Sequence, residues 1–288
     1  MSQLEQKLRS KQFVVTAELT TFDGVSADQI RQRAQMIAPY VDAINCTDNT
    51  GARVHLSSVA CGAMVAQMGL EPVVQFTCRD RNRIALQSDL LGAAALGAKN
   101  ILCLTGDDVS AGDHPDAKPV FDLDSVQLIR LAKTLRDEGR YLSGRRIKPA
   151  PEFFIGAAEN PFAPPLEYRP ERLASKVEAG AQFIQTQLIF DVPIFREFMR
   201  RVREAGLLER VFVLPGIGFL KSRRVAQYLR DKVPGVIVPE HLIERLRGVP
   251  ENQQEEEGME IWAEGIEQVR EIEGVAGVHL FSFGREDA

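Results

Sequence analysis

A single (β/α)8 barrel over residues 1–288 is the fold this sequence predicts, and three observations predict it. First, eight short apolar runs alternate with longer amphipathic ones. That strand-then-helix rhythm belongs to a parallel sheet, and eight is the number that closes a TIM-type barrel. Second, the first strand runs into Ala17-Glu18-Leu19-Thr20-Thr21-Phe22-Asp23-Gly24. This lacks the glycine-rich phosphate turn that an open, doubly wound sheet favours at that point. Third, 288 residues fit one or two domains, and an α/β barrel routinely uses about 200–250 residues as one. Eight units therefore fill the chain, which leaves no stretch for a second domain.

The strands are read from β-branched runs that are apolar on both faces, as strands covered on both sides require. In order they are Phe13–Glu18, Asp42–Thr47, Pro72–Cys78, Asn100–Thr105, Glu152–Ala157, Gln182–Leu188, Val211–Pro215 and Gly277–Phe283. The helices are read from 3.6-residue periodicity with recognisable ends. Ser26–Pro39 starts at a serine cap, Val54–Gly69 closes on glycine, and Asp80–Gly97 carries Ile84, Leu90, Leu91 and Ala94. Leu123–Glu138, Glu171–Gly180, Val192–Gly206 and Ser222–Lys232 follow, several closing on glycine. The last helix, Asn252–Ile272, opens on an asparagine cap, and its first turn, Glu255-Glu256-Glu257, suits the positive end of the helix dipole as a solvated start. Two stretches read as irregular. Gly106–Phe121 is long enough to suggest a functional loop, and Asn160–Tyr168 is rich in proline.

Composition narrows the function. A net charge of −5 argues against a nucleic-acid partner, which needs a basic face. No apolar run is long enough to span a membrane, and the N-terminus has no signal-peptide core. The four cysteines, Cys46, Cys61, Cys78 and Cys103, share no CxxC spacing and read as thiols of a reduced, cytoplasmic protein; the three in or beside strands, Cys46, Cys78 and Cys103, read as small buried residues.

In such a barrel the chemistry sits at the C-terminal ends of the strands. Glu18 closes strand one among apolar neighbours. A carboxylate that loses hydration there favours its protonated form, which suits a general acid; the alternative is a salt bridge to a nearby arginine or lysine. Asp107 follows a glycine at the end of strand four, as a ligand contact or as a turn aspartate. Gln187, on strand six beside Gln185, can donate and accept at once, toward a ligand or within the core. The histidines His55, His114, His241 and His279 lack metal-binding spacing: His55 falls in a helix start and His279 reads as a satisfied barrel residue. Asp108, Asp113, His114 and Asp116 read as a flexible acidic loop.

These strand-end residues, taken with several longer matches, resemble the methylenetetrahydrofolate reductase family. The matches are Ala17-Glu18, Gln75-Phe76-Thr77-Cys78, Leu104-Thr105-Gly106-Asp107, Lys176-Val177-Glu178-Ala179-Gly180-Ala181, Gln185-Thr186-Gln187-Leu188-Ile189-Phe190-Asp191, Pro215-Gly216-Ile217 and Phe281-Ser282-Phe283-Gly284-Arg285. They fall in the family's order from end to end. The resemblance implies a flavin-dependent oxidoreductase that interconverts 5,10-methylenetetrahydrofolate and 5-methyltetrahydrofolate by hydride transfer through flavin N5. It implies Glu18 as the acid that opens the substrate's imidazolidine ring, and Asp107 as an aspartate between flavin and pterin. Gln187 and Arg285 would bind the folate. Asn45, Gln75, Thr105, Gly106, Phe121, Ala158 and Lys176 fall at cofactor-binding positions, with Lys176 near the flavin phosphates and Asn45 near the nicotinamide site. The chain differs from the common pattern at Thr105, where the family often has arginine, and at Gln75, where it often has histidine. Asn45 stands in place of threonine, and Ala157-Ala158-Glu159-Asn160 where a tyrosine follows strand five. FMN therefore stands beside FAD as the implied cofactor, with NADH or NADPH, or a redox partner protein, as reductant.

An acidic folate on a net-acidic barrel needs local cations, for which Arg285, Arg223, Arg224 and Lys221 are candidates. A flavin-free, folate-binding methyltransferase barrel and a non-catalytic subunit of a redox complex are the competing readings. Association into a homo-oligomer through the outer helices is expected. The reduction would feed methionine synthesis and its reverse would recover one-carbon units.

Overall fold

The computed structural model describes residues 1–19 and 23–285; of the turn after strand one, residues 20–22 lie outside this set. Eight parallel strands close in sequence order into one barrel, the first pairing with the last. They are β1 Val14–Leu19, β2 Ala43–Cys46, β3 Pro72–Thr77, β4 Asn100–Leu104, β5 Phe154–Glu159, β6 Phe183–Leu188, β7 Phe212–Gly218 and β8 Gly277–Phe281. All eight expected strands are present. β7 runs past Pro215, where the sequence reading ended the strand. The β6–β7 register shifts between Gln185 and Leu188, and Gly216 N–H donates instead to Thr186 Oγ1 at 3.0 Å, so the strand continues.

The outer helices are α2 Ala27–Ile37, α3 Ser58–Gln67, α4 Arg83–Ala95, α5 Ser125–Lys133, α6 Arg169–Ala179, α7 Val192–Glu204, α8 Arg223–Lys232, α9 Glu240–Arg247 and α10 Gln254–Arg270, with α1 Gln3–Arg9 ahead of the barrel. α1 and α9 were not expected. α3 starts later than its periodicity suggests, because Asn49 adopts φ 48° and its Oδ1 accepts His55 N–H at 3.1 Å. His55 therefore lies in a loop, not a helix start, with Nδ1 2.9 Å from Asp23 Oδ1.

Four apolar clusters result among the described residues. Three lie between strands and helices, the largest of them along β3 to β8. The fourth fills the lower barrel with Val14, Ala43, Val73, Leu102, Phe154, Phe183 and Leu214, and Leu4 and Leu8 of α1 close it from below. Burying each such leucine is worth about 1.5–3 kcal/mol. Ser2 Oγ accepts Glu5 N–H at 3.0 Å, and Glu71 Oε1 accepts both Gln3 N–H at 3.0 Å and Asn100 Nδ2 at 2.8 Å. These bonds pin α1 to the barrel floor. Phe154 and Phe183 stack at 4.9 Å inside. Gly156 makes room for them, since a Cβ there would lie 2.2 Å from Phe183 Cζ. With the floor sealed, ligands have the opposite, C-terminal mouth. Among the described residues no helix is long and apolar enough to cross a membrane.

Candidate active site

One layer above the apolar floor, the inward side chains become polar. Residues two apart on a strand share a face, so Val14, Thr16 and Glu18 rise along the inside of β1. Thr16, Asn45, Gln185 and His279 are all buried. Asn45 and Gln185 reach across the barrel as a reciprocal amide pair, Asn45 Nδ2 to Gln185 Oε1 at 2.6 Å and Gln185 Nε2 to Asn45 Oδ1 at 3.0 Å. Gln185 Nε2 also lies 3.1 Å from Thr16 Oγ1 and 3.2 Å from His279 Nδ1, and Thr16 Oγ1 lies 2.9 Å from the same nitrogen. His279 is thus a satisfied barrel residue, and Asn45 has its amide engaged by Gln185.

Glu18 stands directly above, at the end of β1. Its side chain is 17% exposed, with Oε1 at 3.9 Å from His279 Nε2 and 3.5 Å from Gln75 Nε2. Among the described residues no arginine or lysine pairs with it. The carboxyl is sheltered, backed by an amide and an imidazole, and open toward the mouth.

The rim is held rigid by charge. Asp48, after β2, is buried and accepts Thr77 N–H at 2.8 Å, Thr77 Oγ1 at 2.9 Å, and Arg81 Nη1 and Nη2 at 2.7 and 3.0 Å. Arg79, also buried, donates to Asp80 Oδ1 at 2.7 Å, to Asn49 O at 3.1 Å and to Asp107 O at 3.2 Å. Its guanidinium holds the Asp80 carboxyl below the usual range. Three loops are therefore stitched around one arginine. Gly106 adopts φ +98°, and a Cβ there would lie 2.9 Å from Arg79 Cβ, so glycine alone fits. Asp107 is exposed at the mouth, with Oδ2 accepting Gly51 N–H at 2.9 Å. Thr105 is exposed beside it, and Phe121 at φ 39° is 42% exposed on the same rim. Arg79, Arg81 and Thr16 were not singled out from sequence; their signals were a charged Arg79-Asp80-Arg81 at a strand end and the inward period of β1. Asp108 caps its own turn, Oδ1 accepting Ser110 N–H at 2.8 Å. Among the described residues no group of acids, histidines or cysteines is arranged to hold a metal.

The far rim differs. Gln187 is half-buried, and its Oε1 accepts Leu188 N–H at 3.0 Å. Lys176 is buried, its ammonium donating to Glu159 Oε2 at 2.6 Å and Ala158 O at 2.5 Å; burial pulls its pKa down. Arg169 Nη1 lies 3.8 Å from Glu159, while Arg169 Nε is buried without a hydrogen-bond partner. Arg285 pairs with Glu255, toward which Lys221 also points at 3.9 Å. The acidic first turn of α10, read as a solvated helix start, instead forms ion pairs, with Glu257 also held by Arg245 at 2.7 Å. The rim from β3 to β4 suits a flavin ring, with the Gln75 amide, the Thr105 hydroxyl, the bare backbone at Gly106 and the Phe121 ring. On the phosphate side Lys176 is already neutralised by Glu159, and the donor left unmet is Arg169 Nε.

A closed eightfold barrel with a sheltered carboxyl and a rigid polar rim places the chain in the α/β-barrel class, with its candidate site at the C-terminal mouth. A family model described as methylenetetrahydrofolate reductase matches residues 3–288, and the chain belongs to that family. It is 26% identical over 242 residues to the Caenorhabditis elegans protein named "Probable methylenetetrahydrofolate reductase (NADPH)", covering 81% of this chain and 33% of that one. It is 25% identical over 210 residues to 5,10-methylenetetrahydrofolate reductase of Salmonella typhimurium, covering 70% of this chain and 63% of that one. The chain thus spans about a third of the nematode relative's length. Among solved structures, a Clostridium thermocellum protein that binds two copies of 5-methyl-5,6,7,8-tetrahydrofolic acid shares the fold at TM-score 0.63 and 12% identity, over 99% of this chain and 93% of that one.

Proposed function

We propose that this barrel interconverts 5,10-methylenetetrahydrofolate and 5-methyltetrahydrofolate, with Glu18 as the general acid. The observation that carries the reading is the state of Glu18: a sheltered carboxyl at the C-terminal end of β1, unpaired by arginine or lysine among the described residues and open to the mouth. Opening the imidazolidine ring requires a proton on a ring nitrogen, which makes the methylene carbon an electrophilic iminium. Glu18 supplies that proton and recovers it in the reverse direction. Gln75 holds one carboxyl oxygen from the side. Asp107, on its stitched loop, orients the pterin, and Gln187 offers its amide nitrogen to the same ring. Arg285 and Lys221, gathered at Glu255, are the cations nearest in kind to what an acidic folate tail needs. Gln75, Thr105, Gly106 and Phe121 would hold a flavin, FAD or FMN, which when bound would supply hydride, with NADH or NADPH, the donors that relatives' names carry, as its source.

The engagement of Lys176 by Glu159 favours a second reading, a folate-binding barrel without resident flavin. The absorption spectrum of the purified protein separates the two: a flavin band supports the first, while a colourless protein that binds methyltetrahydrofolate supports the second. Glu18→Gln tests the acid. It lowers folate turnover by about 100-fold or more, the contribution expected of a positioned acid, and bleaching of the flavin by NADH or NADPH serves as the control for an intact site. Full folate turnover in that variant removes the role from Glu18.

A further inference from the structure

Beneath Glu18 lies a device that neither the family match nor the proposed chemistry accounts for. We propose that His279, set by the Asn45–Gln185 amide pair, is a positioning residue that aims an N–H at the Glu18 carboxyl. The inference rests on the reading of Glu18 as the acid.

The argument runs through hydrogen-bond polarity. Gln185 Oε1 accepts from Asn45 Nδ2 at 2.6 Å, so the other end of that amide, Nε2, faces Asn45 Oδ1, Thr16 Oγ1 and His279 Nδ1. An amide nitrogen brings only hydrogens. Its two hydrogens go to Asn45 Oδ1 and Thr16 Oγ1, and at 3.2 Å they also crowd His279 Nδ1, so a proton on Nδ1 would meet a donor head-on. The Thr16 hydroxyl lies 3.3 Å from Val278 O and 2.9 Å from Nδ1, and a bare Nδ1 lets it donate to the nearer of the two. The ring proton then sits on Nε2, which faces Glu18 Oε1 at 3.9 Å. Flipping both amides would instead put the proton on Nδ1 and leave a lone pair facing the carboxylate, a repulsive arrangement. At 3.9 Å the dipole of this N–H favours the carboxylate, and catalytic hydrogen bonds that are long before substrate binds tighten when it does. The ring cannot drift, because it is buried and meets Phe281 edge-on at 4.7 Å. Two donors, from Gln75 and His279, thus converge on the same oxygen, Oε1. The other oxygen of Glu18 is left to carry the proton toward the mouth.

Two substitutions separate positioning from mere filling. In His279→Asn the amide reaches the Nδ1 position and can satisfy Thr16 and Gln185, but nothing reaches Glu18. In His279→Gln a donor reaches the Nε2 position. The expected result is a kcat for folate turnover lowered by up to about 100-fold in His279→Asn, the scale of losing a reacting group's orientation. Folate KM should stay within about 2-fold and kcat should largely recover in His279→Gln. If both variants fall together, in step with their melting temperatures, the role is structural and the proposal fails. Nitrogen-15 spectra of the wild-type protein, with His279 assigned by its loss in His279→Asn, test the geometry without any turnover. Protonation at Nε2 is expected, and an Nδ1–H tautomer overturns the proposal. A wild-type protein that shows the Nε2 tautomer but turns over no folate would instead overturn the assigned reaction.

Discussion

Removing the Asp48 carboxylate tests how the rim is held. In Asp48→Ala, a side chain 1% exposed disappears from beneath two guanidinium hydrogen bonds at 2.7 and 3.0 Å. It also abandons Thr77 N–H, which it accepts at 2.8 Å. Breaking a buried ion pair from one side costs about 3–5 kcal/mol, and a stranded buried donor adds about 1–3. Arg81 retains Asp89 at 2.8 Å, a partner 40% exposed, which returns part of the loss. A net of about 4 kcal/mol follows from the buried-pair cost and the retained partner. With an m-value of about 3 kcal/mol per molar urea, the unfolding midpoint falls by about 1.3 M. The single tryptophan, Trp262, is the reporter. Its Nε1 donates to Ile217 O at 3.1 Å on the opposite side of the barrel, so its fluorescence reads global rather than local unfolding. A midpoint within about 0.3 M of wild type, less than 1 kcal/mol on that m-value, would refute the account of the rim.

Two further expectations concern the core. Gly156→Ala places a methyl 2.2 Å from Phe183 Cζ, and that ring is backed by Phe154 at 4.9 Å, so overpacking costs about 3 kcal/mol; Phe183→Leu should rescue it in a double-mutant cycle, and additive losses would show that the clash is not with that ring. Burial pushes the Cys78 thiol up to about 12 and raises Cys103, while Cys46 is raised first by its hydrogen bond with Cys61 and then by burial. Because unfolded thiols ionise from about pH 8.5, the stability these groups contribute is complete below that pH. It declines as pH climbs toward 12, by about 1.4 kcal/mol per unit for each thiol. Urea midpoints measured from pH 8 upward check this, together with thiol labelling that is slow in the native protein and quick after unfolding; rapid native labelling would contradict it.

The fold was legible because its signal is local. Each β-branched run, such as Pro72–Thr77, reports its own burial, and eight of them in series leave few topologies. The position of Glu18 followed from the barrel rule alone. What was hidden depends on residues far apart in sequence. Asn45 meets Gln185 across 140 residues, and the partner of Lys176 is Glu159 rather than a ligand, which no spacing rule conveys. α1 was missed because it has seven residues and two buried leucines, too little periodicity to stand out. Pro215 misled for a local reason, since the next residue keeps the strand tied to β6 by donating Gly216 N–H to Thr186 Oγ1.

α1 also sets an order of events in the chain's own synthesis. It leaves the ribosome ahead of the barrel, yet its leucines pack on residues from Val14 to Leu214, so its socket does not exist until seven strands have been made. Until then its apolar face has nowhere to go. The helix is made before its socket and seated after it, and its docking marks the moment at which the closed sheet becomes a sealed cup. A partly synthesised barrel therefore carries an exposed greasy floor, the surface a nascent-chain chaperone would have to cover.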